Sequence, residues 1–263
     1  MRLVVLCALL AACNARLGAS VGASSGDDDS SPSDANNGGG GGGSGADAQT
    51  SSVPPMDAPA DASTCPTGRV VFLNFAGDTI AQAAASDATQ DQAIWVGMSN
   101  GATTATMSEF RPNAADRTTQ IQSVVTALQS IFAGVPEVTF VTTRPAAGPY
   151  VMIGFGGTMG QAGVPYTGAV NHLDCGDTNK NDLGWVFESA TTTQAANLAA
   201  GAIGFGLGAT GTTDQTDCMC GWLTQCQASG NACSFSATAQ AQVACPNETD
   251  PQNDVAILQA FCN

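Results

Sequence analysis

One histidine, His172, serves the whole chain of 263 residues. That scarcity excludes a catalytic zinc held by three imidazoles. Basic residues are nearly as rare: 7 Lys and Arg stand against 22 Asp and Glu, for a net charge of −15. Phosphate backbones and anionic headgroups are bound through clustered cations. No nucleic acid and no electrostatically held lipid surface is therefore expected as a partner. Phe, Trp and Tyr are missing altogether from residues 14–64. No apolar run reaches the roughly 20 residues that a membrane-spanning helix needs. What is there in unusual number is cysteine, ten in all. That is too many for an ordinary cytosolic protein and points to an oxidising compartment. With 43% apolar residues, the chain can still build one domain with a real core.

Arg2, followed by the apolar residues 3–12, has the charge and length of a signal-peptide core. The run ends Leu10-Ala11-Ala12-Cys13, which resembles a bacterial lipobox. The resemblance implies a signal peptide at 1–12, diacylglycerol on the Cys13 thiol and attachment to a membrane through that lipid. Asn14 follows, rather than the aspartate linked to inner-membrane retention. A lipid-anchored place in the cell envelope, at the outer membrane or cell surface, is expected, with simple secretion as the alternative. Beyond Cys13, the stretch to residue 64 is rich in Gly, Ser, Asp, Ala and Pro, with Asp27, Asp28, Asp29 and a glycine run at 38–43. It buries too little apolar surface to offset its ordering entropy, so residues 13–64 are expected to act as a disordered tether. A flexible coil of that length reaches roughly 40 Å. No Lys-Ser or Lys-Thr follows the glycines, so they read as spacer and not as a phosphate loop.

The folded part is expected from residue 65. Residues 69–75 (RVVFLNF) read as a strand. Residues 76–112 are loop-rich, with a weak helical signal over 80–86. Ile121, Val124, Val125, Leu128, Ile131 and Phe132 recur on one face of a helix over 114–132, closed by Gly134 and Pro136. Strands follow at 137–143 and 150–155, with an extended piece at 167–171. After a polar loop at 174–182, another strand is expected at 183–188. A Gly- and Ala-rich helix over 192–208 comes next, then a cysteine-rich tail ending in a helix near 251–261.

That order, with RVVFLNFAG opening it and GAVNHLDCGDTNKNDLGWVF leading to the last strand, resembles the metzincin or matrixin-type zinc peptidases of secreted bacterial proteins. The resemblance spans roughly residues 68–222. It is most telling at GAIGFGLGATG, residues 201–211, followed by Asp217-Cys218-Met219. Metzincins carry His-Glu-x-x-His-x-x-Gly-x-x-His and then a methionine turn. Ile203, Gly204, Leu207, Gly208 and Met219 fall where that pattern wants them. Gly201, Phe205 and Gly211 stand in place of the three zinc histidines, and Ala202 in place of the general base. None of the four can ligate a metal or move a proton. The resemblance thus implies an α+β (α/β-like) fold. A twisted mixed sheet would carry a backing helix and an active-site-type helix, followed by a disulfide-rich tail. The metzincin-like domain would cover 65–217 and the Cys-rich subdomain 218–263. It also implies a pseudoenzyme: no zinc, no catalytic residue, and Phe205 buried in the space a zinc site would occupy.

Each interior glycine costs a helix about 1 kcal/mol relative to alanine. Gly201, Gly204, Gly206 and Gly208 are therefore expected where something must approach the helix closely. Eight cysteines remain after Cys7 and Cys13: Cys65, Cys175, Cys218, Cys220, Cys226, Cys233, Cys245 and Cys262. Disulfides are the expected state, in unspecified pairing. Cys218-x-Cys220 would be a soft-metal pair only if reduced. Asp177, Asn179, Asn181 and Glu188 match positions 1, 3, 5 and 12 of a calcium loop, but Asp182 stands where that loop needs glycine. A solvated acidic turn before a strand is the plainer reading, with calcium as the one possible cofactor. His172 and Trp185 read as structural. No Gly-x-Ser-x-Gly elbow is recognised, no nucleophile stands out, and a histidine-based triad would have to use His172. The functional expectation is a surface-anchored, inactive metzincin-like module that engages a protein or peptide partner. The alternatives are a secreted hydrolase with an unrecognised site and a purely structural envelope lipoprotein.

Overall fold

A computed structural model describes residues 68–189, 191–220, 231–241, 245 and 251–260. Cys13, the tether, Cys65, Cys226 and Cys262 lie outside the described residues.

A run of β-branched, leucine and phenylalanine side chains opens the fold with β1 (Arg69–Asn74). The loop-rich segment expected next forms three short strands: β2 (Asp78–Gln82), β3 (Gln92–Ala93) and β4 (Thr104–Met107). The helical expectation over 80–86 is corrected here. Antiparallel pairing of β2 with β4, a contact distant in sequence, decides the conformation. Helix α1 (Arg117–Ile131) follows, burying Val124, Val125 and Leu128. Next come β5 (Val138–Val141), β6 (Val151–Phe155), a short α2 (Met159–Ala162), β7 (Ala169–Val170) and β8 (Leu183–Val186). Helix α3 (Thr192–Gly206) starts at Thr191, whose hydroxyl accepts from the Gln194 N–H. Helix α4 (Asp254–Gln259) comes last among the described elements.

Two mixed sheets result. The larger has the order β5-β1-β6-β8-β7, parallel except for β7, which runs antiparallel to β8 at the edge. The smaller has the order β3-β2-β4. Side chains alternate across the larger sheet. Val71, Leu73, Val151, Ile153 and Val186 enter one apolar cluster with α1 and α3. Phe72, Met152, Leu183 and Trp185 enter the other, with Ile80, Trp95, Ala105 and Met107 of the smaller sheet and its loops. The layers are therefore helices, sheet, small sheet. Gly154 lies in the middle layer because Met107 fills the position a Cβ there would take. Residues of the tail join the helix-side cluster through Leu258 and through Phe235, whose ring meets Phe132 edge-on at 4.9 Å. The described residues belong to one compact unit. No helix among the described residues is long and apolar enough to cross a membrane.

Candidate functional site

Helix α3 follows the last parallel strand, β8, and carries residues 201, 202 and 205. Gly201 and Ala202 are buried, and so is Gly211 beyond the helix. Phe205 departs from expectation: it is partly exposed, not buried. Its carbonyl accepts from the Asp174 N–H at 3.2 Å. The helix ends before Gly208, whose φ of +94° is a left-handed conformation that favours glycine. The chain then runs through Thr210 and Thr212, both fully buried, to Met219.

Two of the three glycines of α3, Gly204 and Gly206, have the close neighbour their cost demanded. A Cβ at 204 would overlap the Sδ atom of Met219, which is fully buried under the helix. A Cβ at 206 would stand 2.6 Å from Asn171 Nδ2 and 3.0 Å from Asp182 Oδ2. Asn171 also donates from Nδ2 to the Ala202 carbonyl at 2.8 Å, so the strand edge at β7 and the helix are tied together. The close neighbours are side chains rather than backbone.

The polar loop at 174–182 packs under this end of α3 and is strongly acidic inside. Asp174, Asp177 and Asp182 are all buried. Asp177 Oδ2 ion-pairs with both Arg69 and Lys180. Asp174 accepts from Thr178 Oγ1 and the Asn179 N–H. Burial pushes the Asp182 carboxyl up to about 8, with the charges of Asp174 and Asp177 adding to it. Burial also raises Asp177, against the pull of Lys180 and Arg69. Both cations sit on Asp177, whereas Asp174 is held by neutral donors and Asp182 by Asn179.

The four calcium-loop residues are not drawn to one point. Asp177 faces Arg69 and Lys180. Asn179 donates from Nδ2 to the Ser86 carbonyl and to Asp182 Oδ1, both at 2.8 Å. Asn181 Oδ1 accepts from the Tyr150 N–H. Glu188 is exposed and borders a surface depression with Arg111, Pro112, Asn113, Ala114 and Ser189. Among the described residues, no group of three or more His, Cys, Asp or Glu is arranged to hold a metal ion. His172 is exposed. Trp185 is fully buried and donates to the Gly156 carbonyl.

Cys175 bonds to Cys245 and Cys218 to Cys233, and Cys220 is also disulfide-bonded. Disulfides are the state expected of these cysteines, and neither Cys218 nor Cys220 is a free thiolate for a soft metal.

Two features escaped the sequence reading. Gly97-Met98-Ser99-Asn100-Gly101 spells the Gly-x-Ser-x-Gly of a hydrolase nucleophile elbow. It lies between β3 and β4, with Gly97 and Gly101 both left-handed and no helix after it. The strand-turn-helix context of such an elbow is therefore missing. The second feature is the burial of two tail-region acids, Asp217 and Asp254, which no local pattern could reveal.

Compared with models of known protein families the chain matches none, and a comparison with curated proteins likewise returns no match.

Proposed function

We propose that this chain is a lipid-anchored, catalytically inactive metzincin-like module that binds a protein or peptide partner at the cell surface. One juxtaposition carries the reading. A helix after the last parallel strand breaks at a left-handed Gly208, and Met219 returns to seat its thioether on that helix at Gly204. Helix, glycine break and methionine come in the order that the family resemblance implies. The side chains at 201, 202, 205 and 211 offer no nitrogen, oxygen or sulfur. A scaffold stripped of its ligands keeps its surfaces. Main-chain pairing of an extended peptide along a sheet edge is the binding mode this reading expects.

Metal analysis of the full chain after refolding in zinc, together with a broad peptidase assay, tests the inactive half of this reading. Less than a tenth of an equivalent of zinc and no metal-dependent cleavage are expected. Stoichiometric zinc, or cleavage abolished by a chelator, would overturn it. Mass spectrometry of the mature N-terminus tests the anchor, with diacylglycerol on Cys13 expected. An unmodified terminus beyond residue 13 removes the anchor.

A further inference from the structure

Met98, Met107, Met152, Met159 and Met219 are the methionines among the described residues, and the fold sorts them into two groups. Met107 is 2% exposed, and Met152 and Met219 are fully buried. The sulfur of Met107 fills the space of a Cβ at Gly154, and that of Met219 the space of a Cβ at Gly204. The Met152 sulfur lies 3.6 Å from a guanidinium nitrogen of Arg144 and 3.9 Å from Asn74 Nδ2. Met98 and Met159, by contrast, are 57% and 44% exposed. With Tyr166 they are the exposed large apolar side chains among the described residues.

Backbone hydrogen bonds set these two methionines on neighbouring segments. The Gly97 N–H donates to the Ala162 carbonyl at 3.1 Å, and the Ser99 N–H to the Gly163 carbonyl at 2.7 Å. The residues on either side of Met98 are thus pinned to the end of α2. Met159 is the first residue of α2, and its carbonyl accepts from the Val164 N–H at 3.2 Å.

A thioether is oxidised where its sulfur can meet the oxidant. With hydrogen peroxide the sulfur lone pair attacks one oxygen. An S–O bond forms as the O–O bond breaks, and the departing hydroxide takes the proton of the transferred oxygen to become water. The thioether loses two electrons and becomes a sulfoxide, and the peroxide is reduced. Thiolates react ahead of thioethers, but the described cysteines, Cys175, Cys218, Cys220, Cys233 and Cys245, are all disulfide-bonded. The indoles of Trp95 and Trp185 are buried.

We infer that Met98 and Met159 form a surface oxidation site, which takes up oxygen from peroxide while the fold stays intact. A sulfoxide there keeps its contact with water and carries no burial cost. A sulfoxide at Met107 or Met219 needs room in a filled interior. Oxidation of the exposed pair therefore turns two of the three exposed large apolar side chains polar and leaves the core unchanged. This inference does not rest on the proposed function.

Hydrogen peroxide treatment of the full chain at neutral pH, with sulfoxide followed at each methionine by peptide mapping, tests it. Met98 and Met159 are expected to oxidise at least about tenfold faster than Met107, Met152 and Met219, which react only through opening of the fold. In urea strong enough to unfold the chain, the five rates are expected to come within about twofold of one another. Protein oxidised at Met98 and Met159 is expected to keep the urea midpoint of the untreated chain. Exposed and buried methionines that react alike in the folded chain overturn the inference. So does a rate difference that persists in the unfolded chain, or a midpoint lowered by oxidation at Met98 and Met159 alone.

Discussion

The thioether sulfur of Met219 occupies the space that a Cβ at position 204 would need, so Gly204 and Met219 interlock helix α3 with the turn that follows it. Two effects compete on replacing that glycine by alanine. Helix propensity favours alanine by about 1 kcal/mol. Overpacking a filled interior costs about 1–3 kcal/mol, and Met219 is fully buried with Phe235 close behind the same point. Gly204→Ala is expected to lose about 1 kcal/mol by urea denaturation. In a Met219→Ala background the clash is gone, and the same substitution should be neutral or stabilising. A double-mutant cycle with no coupling would show that the sulfur is not what keeps residue 204 a glycine.

Asp182 should make stability fall with rising pH. Its folded value is about 8 against an ordinary 3.8. The folded state therefore holds the proton more tightly than the unfolded chain. The stabilisation is full below about pH 4, shrinks from there to about pH 8, and is gone above that. Its size is on the order of a few kcal/mol for a group this buried. Asp182→Asn removes the titration while keeping the shape. The slope of unfolding free energy against pH over 4–8 is expected to be clearly shallower in that variant. An unaltered slope would place the pH dependence elsewhere.

The larger sheet and both long helices were legible because their signals are local. RVVFLNF is β-branched and aromatic, Ile121 to Phe132 repeats at helical spacing, and Gly134 with Pro136 stops it. The mixed α and β class followed from that order. The small sheet was not legible. The segment DTIAQ offers one inward apolar residue, Ile80, and becomes a strand only because β4 pairs with it. The glycines of α3 announced a close approach, but their neighbours come from the far-off Met219, Asn171 and Asp182. Phe205 was misjudged because it was read as filling the space of a lost zinc site, whereas its side chain is partly exposed. The acidic loop looked like a solvated turn. It is buried because Arg69 arrives from the first strand to pair with it.

That pairing can be broken directly. Arg69 is 5% exposed and Asp177 is 2% exposed, and they share an ion pair with Lys180 at the rim. Removing one partner of a buried pair costs about 3 kcal/mol or more, because the other charge stays buried without compensation. Arg69→Met should show a loss of that order in chemical denaturation. Lys180, with a side chain 48% exposed, can only soften it. The double variant Arg69→Met with Asp177→Asn should recover most of the loss. No recovery would mean that Arg69 matters for packing alone.

The bond between Cys175 and Cys245 joins residues 70 apart, and that between Cys218 and Cys233 joins residues 15 apart. Loop closure in the unfolded chain gives about 4 kcal/mol for the first and about 3 kcal/mol for the second. The outer bond does something further in the folded state. Cys175 lies at the start of the acidic loop, and Gly208 lies close over that loop, where an added Cβ would stand 3.1 Å from the Asp174 carbonyl oxygen and from Gly176 N. Replacing Cys175 and Cys245 by alanine should therefore cost at least as much as replacing Cys218 and Cys233. It should also expose the 174–182 amides to exchange, which the inner pair should leave protected. A loop equally protected with and without the outer bond would assign its order to Arg69, Asn179 and Asp174 alone.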